Sequence, residues 1–259
     1  MIKKLLCTIF LLCLILTGCG LKKTQDDYDA IKERGKLIVG VRSDTRPFGY
    51  RNIEGKLQGF DIDLARIISK HIFTDMNDVE FVPVTASNRI SMLNSGKVDM
   101  LIATMSITDQ RRLVVDFSKP YYMAGQAILI KRGSNIASIK QLSGKRVIIV
   151  YGSTGEMSVR MNAPEAIIRG YKNYHLAYQA LKNGEADAMI ADDTILYNLA
   201  LDDPAVKILD KRFSKEPYAV AFRKGEESAK LRESVDFTIN LLEHSGKLRD
   251  LQMKWGIRQ

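Results

Sequence analysis

Cysteine is almost missing from this chain of 259 residues: Cys7, Cys13 and Cys19 are its only three, and all fall at the start. Beyond Cys19 there is no internal disulfide, no zinc–thiolate centre and no dithiol chemistry. Histidine is as scarce, and His71, His175 and His244 are scattered, with no His-Glu-x-x-His pair and no neighbouring nucleophile, so they read as surface or helix residues. Gly144-Lys145 has Ile139 where a phosphate-binding loop needs its upstream glycine, and Gly152-Ser153-Thr154-Gly155 lacks the Gly-x-Ser-x-Gly order of a nucleophile elbow. No metal, cofactor or catalytic residue is called for. After the first segment no run approaches the roughly 20 apolar residues of a membrane helix. Lys and Arg outnumber Asp and Glu 39 to 30, yet they lie among the acids without an aromatic-interleaved basic stripe, which argues against nucleic acid.

What the chain does have begins at its start. Lys3 and Lys4 precede an apolar stretch from Leu5 to Leu16, broken only by Thr8, and Leu16-Thr17-Gly18-Cys19 follows. This looks like a bacterial lipoprotein signal: residues 1–18 are removed, Cys19 is lipidated and residues 19–27 form a polar tether. The alternative is an ordinary signal peptide with a chance cysteine. Loss of Lys3 and Lys4 takes the formal charge from +9 to +7. Roughly 240 residues remain, enough for one large or two modest domains.

Tyr28 to Arg34 reads as a short helix closed by Gly35, and residues 36–41 as a first strand. The loop from Arg42 to Tyr50 is dense in charged and aromatic residues and is a natural binding element, which makes Arg42 and Asp44 candidates. Ile62, Leu64, Ala65, Ile67, Ile68 and Ile72 form one face of a helix capped by Asp61 or Asp63. Val79 to Val84 is a second strand, and Thr85 to Arg89 opens the next helix.

From Val98 to Thr104 a nearly continuous apolar run, with one Asp, suits a strand covered on both faces. It stops abruptly at Ser106, Thr108 and Arg111, so hydroxyls, backbone amides and a guanidinium converge at the edge where open α/β sheets bind ligands. A guanidinium grips a carboxylate with two parallel hydrogen bonds, and this is a candidate carboxylate site. The plainer alternative makes Arg111 a solvated helix residue and Thr108 an N-cap.

The outline then repeats. Helix 136–141, strand 146–151, a loop at 152–155, a helix from Glu156, strand 166–169, helix 174–181 and strand 188–191 mirror the first half, and Leu93-Asn94-Ser95-Gly96-Lys97-Val98-Asp99 echoes Leu181-Lys182-Asn183-Gly184-Glu185-Ala186-Asp187. Two Rossmann-like α/β lobes follow, the first comprising 28–121 and 221–259 and the second 122–220. Ala127 to Ile130 and Tyr218 to Phe222 are the expected hinge crossings, and the final amphipathic helices, with Trp255, pack on the first lobe. A ligand in such a cleft favours the closed state.

Several segments together carry a family resemblance over essentially the whole mature length: Leu37-Ile38-Val39-Gly40-Val41, Gly59-Phe60-Asp61-Ile62-Asp63-Leu64-Ala65, the stretch ending Ser106-Ile107-Thr108-x-x-Arg111, Asp116-Phe117-Ser118-Lys119-Pro120-Tyr121-Tyr122 and Lys254-Trp255-Gly256. The chain resembles the solute-binding proteins, of periplasmic-binding-protein type II fold, that deliver polar amino acids to ABC importers. The resemblance implies that Arg111 holds the ligand α-carboxylate with Thr154 and the amide of Gly155, and that Asp192 holds the α-ammonium with Ser106 and the carbonyl near Thr104. Ala86 stands where glutamine-binding relatives have an aromatic. Arg89, helped by Arg42, Tyr174 and Tyr218, is expected on the ligand side chain, which ranks glutamate or aspartate above glutamine or cystine. The alternative puts Arg42 or Arg46 at the surface and an amide oxygen on Arg89. Tyr151 replaces a lysine of some glutamine binders. A lipid-anchored, extracytoplasmic monomer working with an importer permease is implied. A dehydratase of small carboxylates, using Glu156 or Asp192 as acid or base, is the remote enzymatic alternative. A receptor's sensing domain is disfavoured, because no membrane helix or signalling domain follows the lobes.

Overall fold

The computed structural model describes residues 26–257; the signal segment and Cys19 lie outside the described residues. Helix α1 (Asp27–Arg34) starts on Asp26, whose carboxylate accepts from the Tyr28 amide at 2.8 Å. Strand β1 (Leu37–Val41) leads to a small hairpin sheet of β2 (Asp44–Thr45), β3 (Gly49–Arg51) and β4 (Leu57–Gln58), then to α2 (Phe60–Phe73), β5 (Val79–Pro83), α3 (Arg89–Asn94), β6 (Met100–Ile102), α4 (Asp109–Arg112) and β7 (Val115–Ala124). The second lobe holds β8 (Gln126–Lys131), β9 (Arg146–Val150), α5 (Gly155–Asn162), β10 (Ile167–Tyr171), α6 (Tyr174–Lys182), β11 (Ala188–Asp192), α7 (Asp193–Leu199) and β12 (Val206–Ile208). The chain returns through β13 (Glu216–Arg223) to α8 (Ala229–His244) and α9 (Lys247–Lys254).

The sheet orders are β5-β1-β6-β13-β7 and β10-β9-β11-β8-β12. In each, the three βα strands run parallel and the strand on the far side of the third is antiparallel. Apolar side chains alternate between two buried layers, which is why the strands read as unbroken apolar runs: Met100 and Ile102 pack beneath α2 and α8, while Leu101 and Ala103 pack against Val98 and Leu93. The repeated Gly-x-x-Asp does the same work twice. Asp99 takes the Ile38 amide at 2.7 Å while its own amide reaches the Ile38 carbonyl, and Asp187 does this to Arg146. Each carboxylate thus pins the first strand of its lobe to the third.

Three expectations change. Asp61 does not cap α2; Gly59 is the N-cap without any side-chain bond, and Asp61 is buried inside lobe 1. Residues 136–141 give only a 3₁₀ turn, Ile139–Leu142. The crossings also move: β8 lies wholly in the second sheet, and β13 lies wholly in the first, paired with β7 from Glu216 opposite Ala124 to Arg223 opposite Val115. A run of apolar residues marks burial rather than passage, so the chain passes between lobes on either side of those strands, at Gly125 and at residues 209–215. There the two passages touch, with the Gln126 amide donating to Ser214 Oγ at 3.0 Å and the Phe213 amide to the Gln126 carbonyl at 3.0 Å. Tyr122, Met123, Ala124 and residues 216–220, expected in the second lobe, therefore belong with the first sheet. The C-terminal helices cover lobe 1, where Trp255 donates to Asp63 at 2.9 Å.

Candidate functional site

The lobes are shut on each other around a small, tight cavity lined by both. Lobe 1 contributes Arg42, Ala86, Arg89, Thr104, Ser106 and Arg111; lobe 2 contributes Ser153, Thr154, Tyr174 and Asp192. Six of them stand where a strand ends, Arg42 after β1, Thr104 and Ser106 after β6, Ser153 and Thr154 after β9 and Asp192 at the end of β11, while Arg89 and Tyr174 open helices α3 and α6 and Arg111 lies in α4.

Arg111 is positioned by Thr108, the N-cap of α4, whose hydroxyl accepts the Arg111 amide at 3.2 Å. Its guanidinium donates to the Ser106 carbonyl at 2.7 Å and, across the cleft, to the Gly152 carbonyl at 3.1 Å. Neither acceptor is charged, and burial pulls its pKa down. Gly152 sits at φ +77°, and a Cβ there would lie 2.5 Å from the Ala86 carbonyl oxygen, so only glycine lets the lobes meet at this point. Outside Arg111 a wider opening, lined by Thr108, Gln110, Met157 and Arg160, forms the mouth of the cleft.

Asp192 is the N-cap residue of α7 but makes no capping bond; its carboxylate turns inward, accepting from Gln126 Nε2 and the Tyr218 hydroxyl. Both donors are neutral. Burial, with Glu216 nearby, raises its pKa to about 7, the response of a buried carboxylate with no cation in contact. Gln126 also donates to Thr154 Oγ1 at 3.0 Å.

Arg89 is 3% exposed and donates from Nη1 to the carbonyls of Ala103 (2.6 Å) and Thr104 (3.3 Å), while its Nε has no partner. Desolvation, then the charges of Arg111 and Arg42, lower its pKa to about 9. Thr104 takes φ +47°, costly for a β-branched residue. Its amide is held by Asp61 at 3.1 Å, and Asp61 is held in turn by the Tyr121 hydroxyl at 3.0 Å. Burial raises the Asp61 pKa to about 7. Arg42 is buried behind the Tyr174 ring, 5.7 Å from its centroid, and is paired with Asp44.

Of the residues expected from sequence, Asp44 and Tyr218 stand one shell back, behind Arg42 and Asp192. The Gly155 amide bonds Ser153 Oγ at 3.3 Å instead of lining the cavity, and the carbonyls of Ser106 and Thr104 are engaged by Arg111 and Arg89. Tyr151 is half exposed and lies on Gly170, away from the cavity. Arg46 lies over the Tyr50 ring, also outside it. Sequence reasoning missed Gln126, Ser153 and the Gly152 carbonyl. Gln126 had a signal, a polar residue opening a buried apolar strand.

Two cations without a contacting anion, Arg111 and Arg89, and one anion without a contacting cation, Asp192, share this cavity, and two α/β lobes shut around such a set define a two-lobed solute-binding protein. The chain belongs to the bacterial extracellular solute-binding proteins, family 3, whose model matches residues 37–258. It is 38% identical over 253 residues to the ABC transporter glutamine-binding protein GlnH of Bacillus subtilis (strain 168), covering 93% of this chain and 92% of that protein. A glutamine-binding protein of Geobacillus stearothermophilus is 44% identical over 212 residues, 79% of this chain and 81% of its own. Among solved structures, an ancestral arginine-binding protein bound to glutamine matches with a TM-score of 0.80 and 38% identity, over 87% of this chain and 99% of its own.

Proposed function

We propose that the chain is an extracytoplasmic receptor that captures L-glutamine between its lobes and presents it to an ABC importer, tethered to the membrane through a lipid on Cys19. Among the described residues no helix is long and apolar enough to cross a membrane, in keeping with a tether. Arg111 takes the ligand α-carboxylate, joined by the Thr154 hydroxyl, and Asp192 takes the α-ammonium. The observation that carries the ligand's identity is the Arg42–Asp44 pair: Arg42 Nη2 donates to the two Asp44 oxygens at 2.7 and 3.0 Å, so its charge is already matched. The side-chain end then offers Arg42 Nη1 and Arg89 Nε, both without partners, as donors to one carboxamide oxygen. This revises the preference for an acidic side chain, which counted Arg42 as a free charge. The names of the two glutamine-binding relatives support the same choice.

Glutamate is the second reading, favoured by Arg89, which has no carboxylate within hydrogen-bond reach. A catalytic role draws no support from Glu156, which is ion-paired with Arg160 at the mouth of the cleft and does not line the cavity. The test is calorimetric titration of the mature protein, refolded from denaturant to strip carried-over ligand, with glutamine, glutamate, aspartate, cystine and arginine. Glutamine binding at least tenfold tighter than glutamate is the expected result. The reverse order installs the second reading, and silence from all five sinks the receptor function.

A further inference from the structure

Arg42 is 1% exposed, at the side-chain end of the cavity, and a buried guanidinium there would ordinarily demand an anionic ligand. It does not, because the anion is supplied from within the same loop. Asp44 accepts from Arg42 Nε at 3.1 Å and from Nη2 at 2.7 and 3.0 Å, and Thr45 Oγ1 accepts from Nε at 3.1 Å while donating to Asp44 at 3.0 Å. Asp44 lies outside the cavity, on β2, with a third of its side chain exposed. It touches the ligand space only through Arg42, whose Nη1 has no hydrogen-bond partner.

We infer that Asp44 is the specificity-determining residue that sets which side-chain charge the cavity accepts. This rests on the reading given under Proposed function. With Arg111 and Asp192 answering the two ends of the amino acid, the charges facing its side chain are Arg89 and the Arg42–Asp44 pair. With Asp44 ionised that set carries one positive charge; without it, two. A single guanidinium surrounded by carbonyls tolerates a carboxamide, whereas two adjacent guanidinium groups in a desolvated space strongly prefer a carboxylate. Asp44 therefore acts as a built-in substitute for the ligand carboxylate, and removing its charge hands that place to the ligand.

The test is titration of wild type, Asp44→Asn, Arg42→Met and the double variant with glutamine and with glutamate. Asp44→Asn, which keeps the shape and one acceptor oxygen, should move the ratio of the two dissociation constants at least tenfold towards glutamate. Arg42→Met leaves Asp44 unpaired and should move it towards glutamine; the double variant should return within about threefold of wild type. A purely structural lesion cannot produce opposite shifts that cancel. Equal weakening of both ligands in Asp44→Asn overturns the inference while leaving the glutamine reading intact, whereas a wild-type protein that binds neither ligand overturns that reading itself. Should Asp44→Asn fail to fold, Arg42→Met carries the test in the opposite sense, and an unchanged ratio there refutes it.

Discussion

Replacing Gly152 by Ala separates the energy of closing the lobes from the energy of folding them. Gly152 sits at φ +77°, and an alanine there costs roughly 1–2 kcal/mol whether the lobes are open or shut. That part appears as lower stability of the ligand-free protein, a few degrees of melting temperature at roughly 2–4 °C per kcal/mol. The added Cβ does something else only when the lobes meet, since it would lie 2.5 Å from the Ala86 carbonyl oxygen and 2.7 Å from Ser87 Cα. Ordinary carbon–oxygen contact lies at about 3.3 Å or more, so the loops must part by about 0.8 Å. The bond from Arg111 to the Gly152 carbonyl is already 3.1 Å and breaks. A hydrogen bond from a charged donor contributes about 1.5–3 kcal/mol, and because the shut form holds the ligand, its loss lowers affinity by about 10- to 150-fold. Calorimetry with glutamine and a melting curve without it give the two numbers separately. Gly152→Ala with wild-type affinity and a lowered melting temperature would show that the shut arrangement is not the one that retains ligand.

Arg111→Ala should weaken every amino-acid ligand by at least about 100-fold, because both ends of a charged, bidentate contact are lost; equilibrium dialysis finding a smaller change removes Arg111 from the carboxylate role. Asp192 has a pKa near 7 in the shut, empty cavity, and an ammonium beside it favours the ionised form, so filling that cavity near pH 6 should expel protons and affinity should rise towards pH 8. Titration in buffers of different ionisation enthalpy measures this, and Asp192→Asn should abolish both the proton release and most of the affinity. Asp61, raised to about 7 by burial, contributes stability that is complete below the unfolded-state pKa of about 4 and is lost as pH rises through 7. The melting temperature of Asp61→Asn relative to wild type should therefore climb between pH 5 and pH 8; a flat difference refutes a protonated Asp61.

The chain shows its lobes plainly because their cause is local. Strands such as β6 and β11 are apolar on both faces, the Asp99 and Asp187 echo repeats a strand-pinning contact, and polar residues cluster where each strand stops. Most of the residues that meet in the cavity are legible for the same reason, since strand ends in an α/β lobe share one edge. What stayed hidden depends on contacts made only once the chain has folded. Arg42 looked like free charge because nothing in Arg-Ser-Asp-Thr says that a hairpin will lay Asp44 against it. Asp61 looked like a helix cap because a carboxylate at a helix start ordinarily is one, while its actual partner, the strained Thr104, lies 43 residues away. Gly152 looked like part of a polar loop, although its carbonyl and its missing Cβ matter only when the opposite lobe arrives.

The two passages between lobes lie side by side, hydrogen-bonded at Gln126, Phe213 and Ser214, and the Gly125 amide is clasped by Asp193 at 3.2 Å. Neighbouring threads cannot slide or splay independently, so the halves are left with one easy motion, a swing about that seam. Such a molecule behaves as a single-jointed lever. Whether the space between Arg111 and Asp192 is filled is thereby expressed as one angle between the two halves.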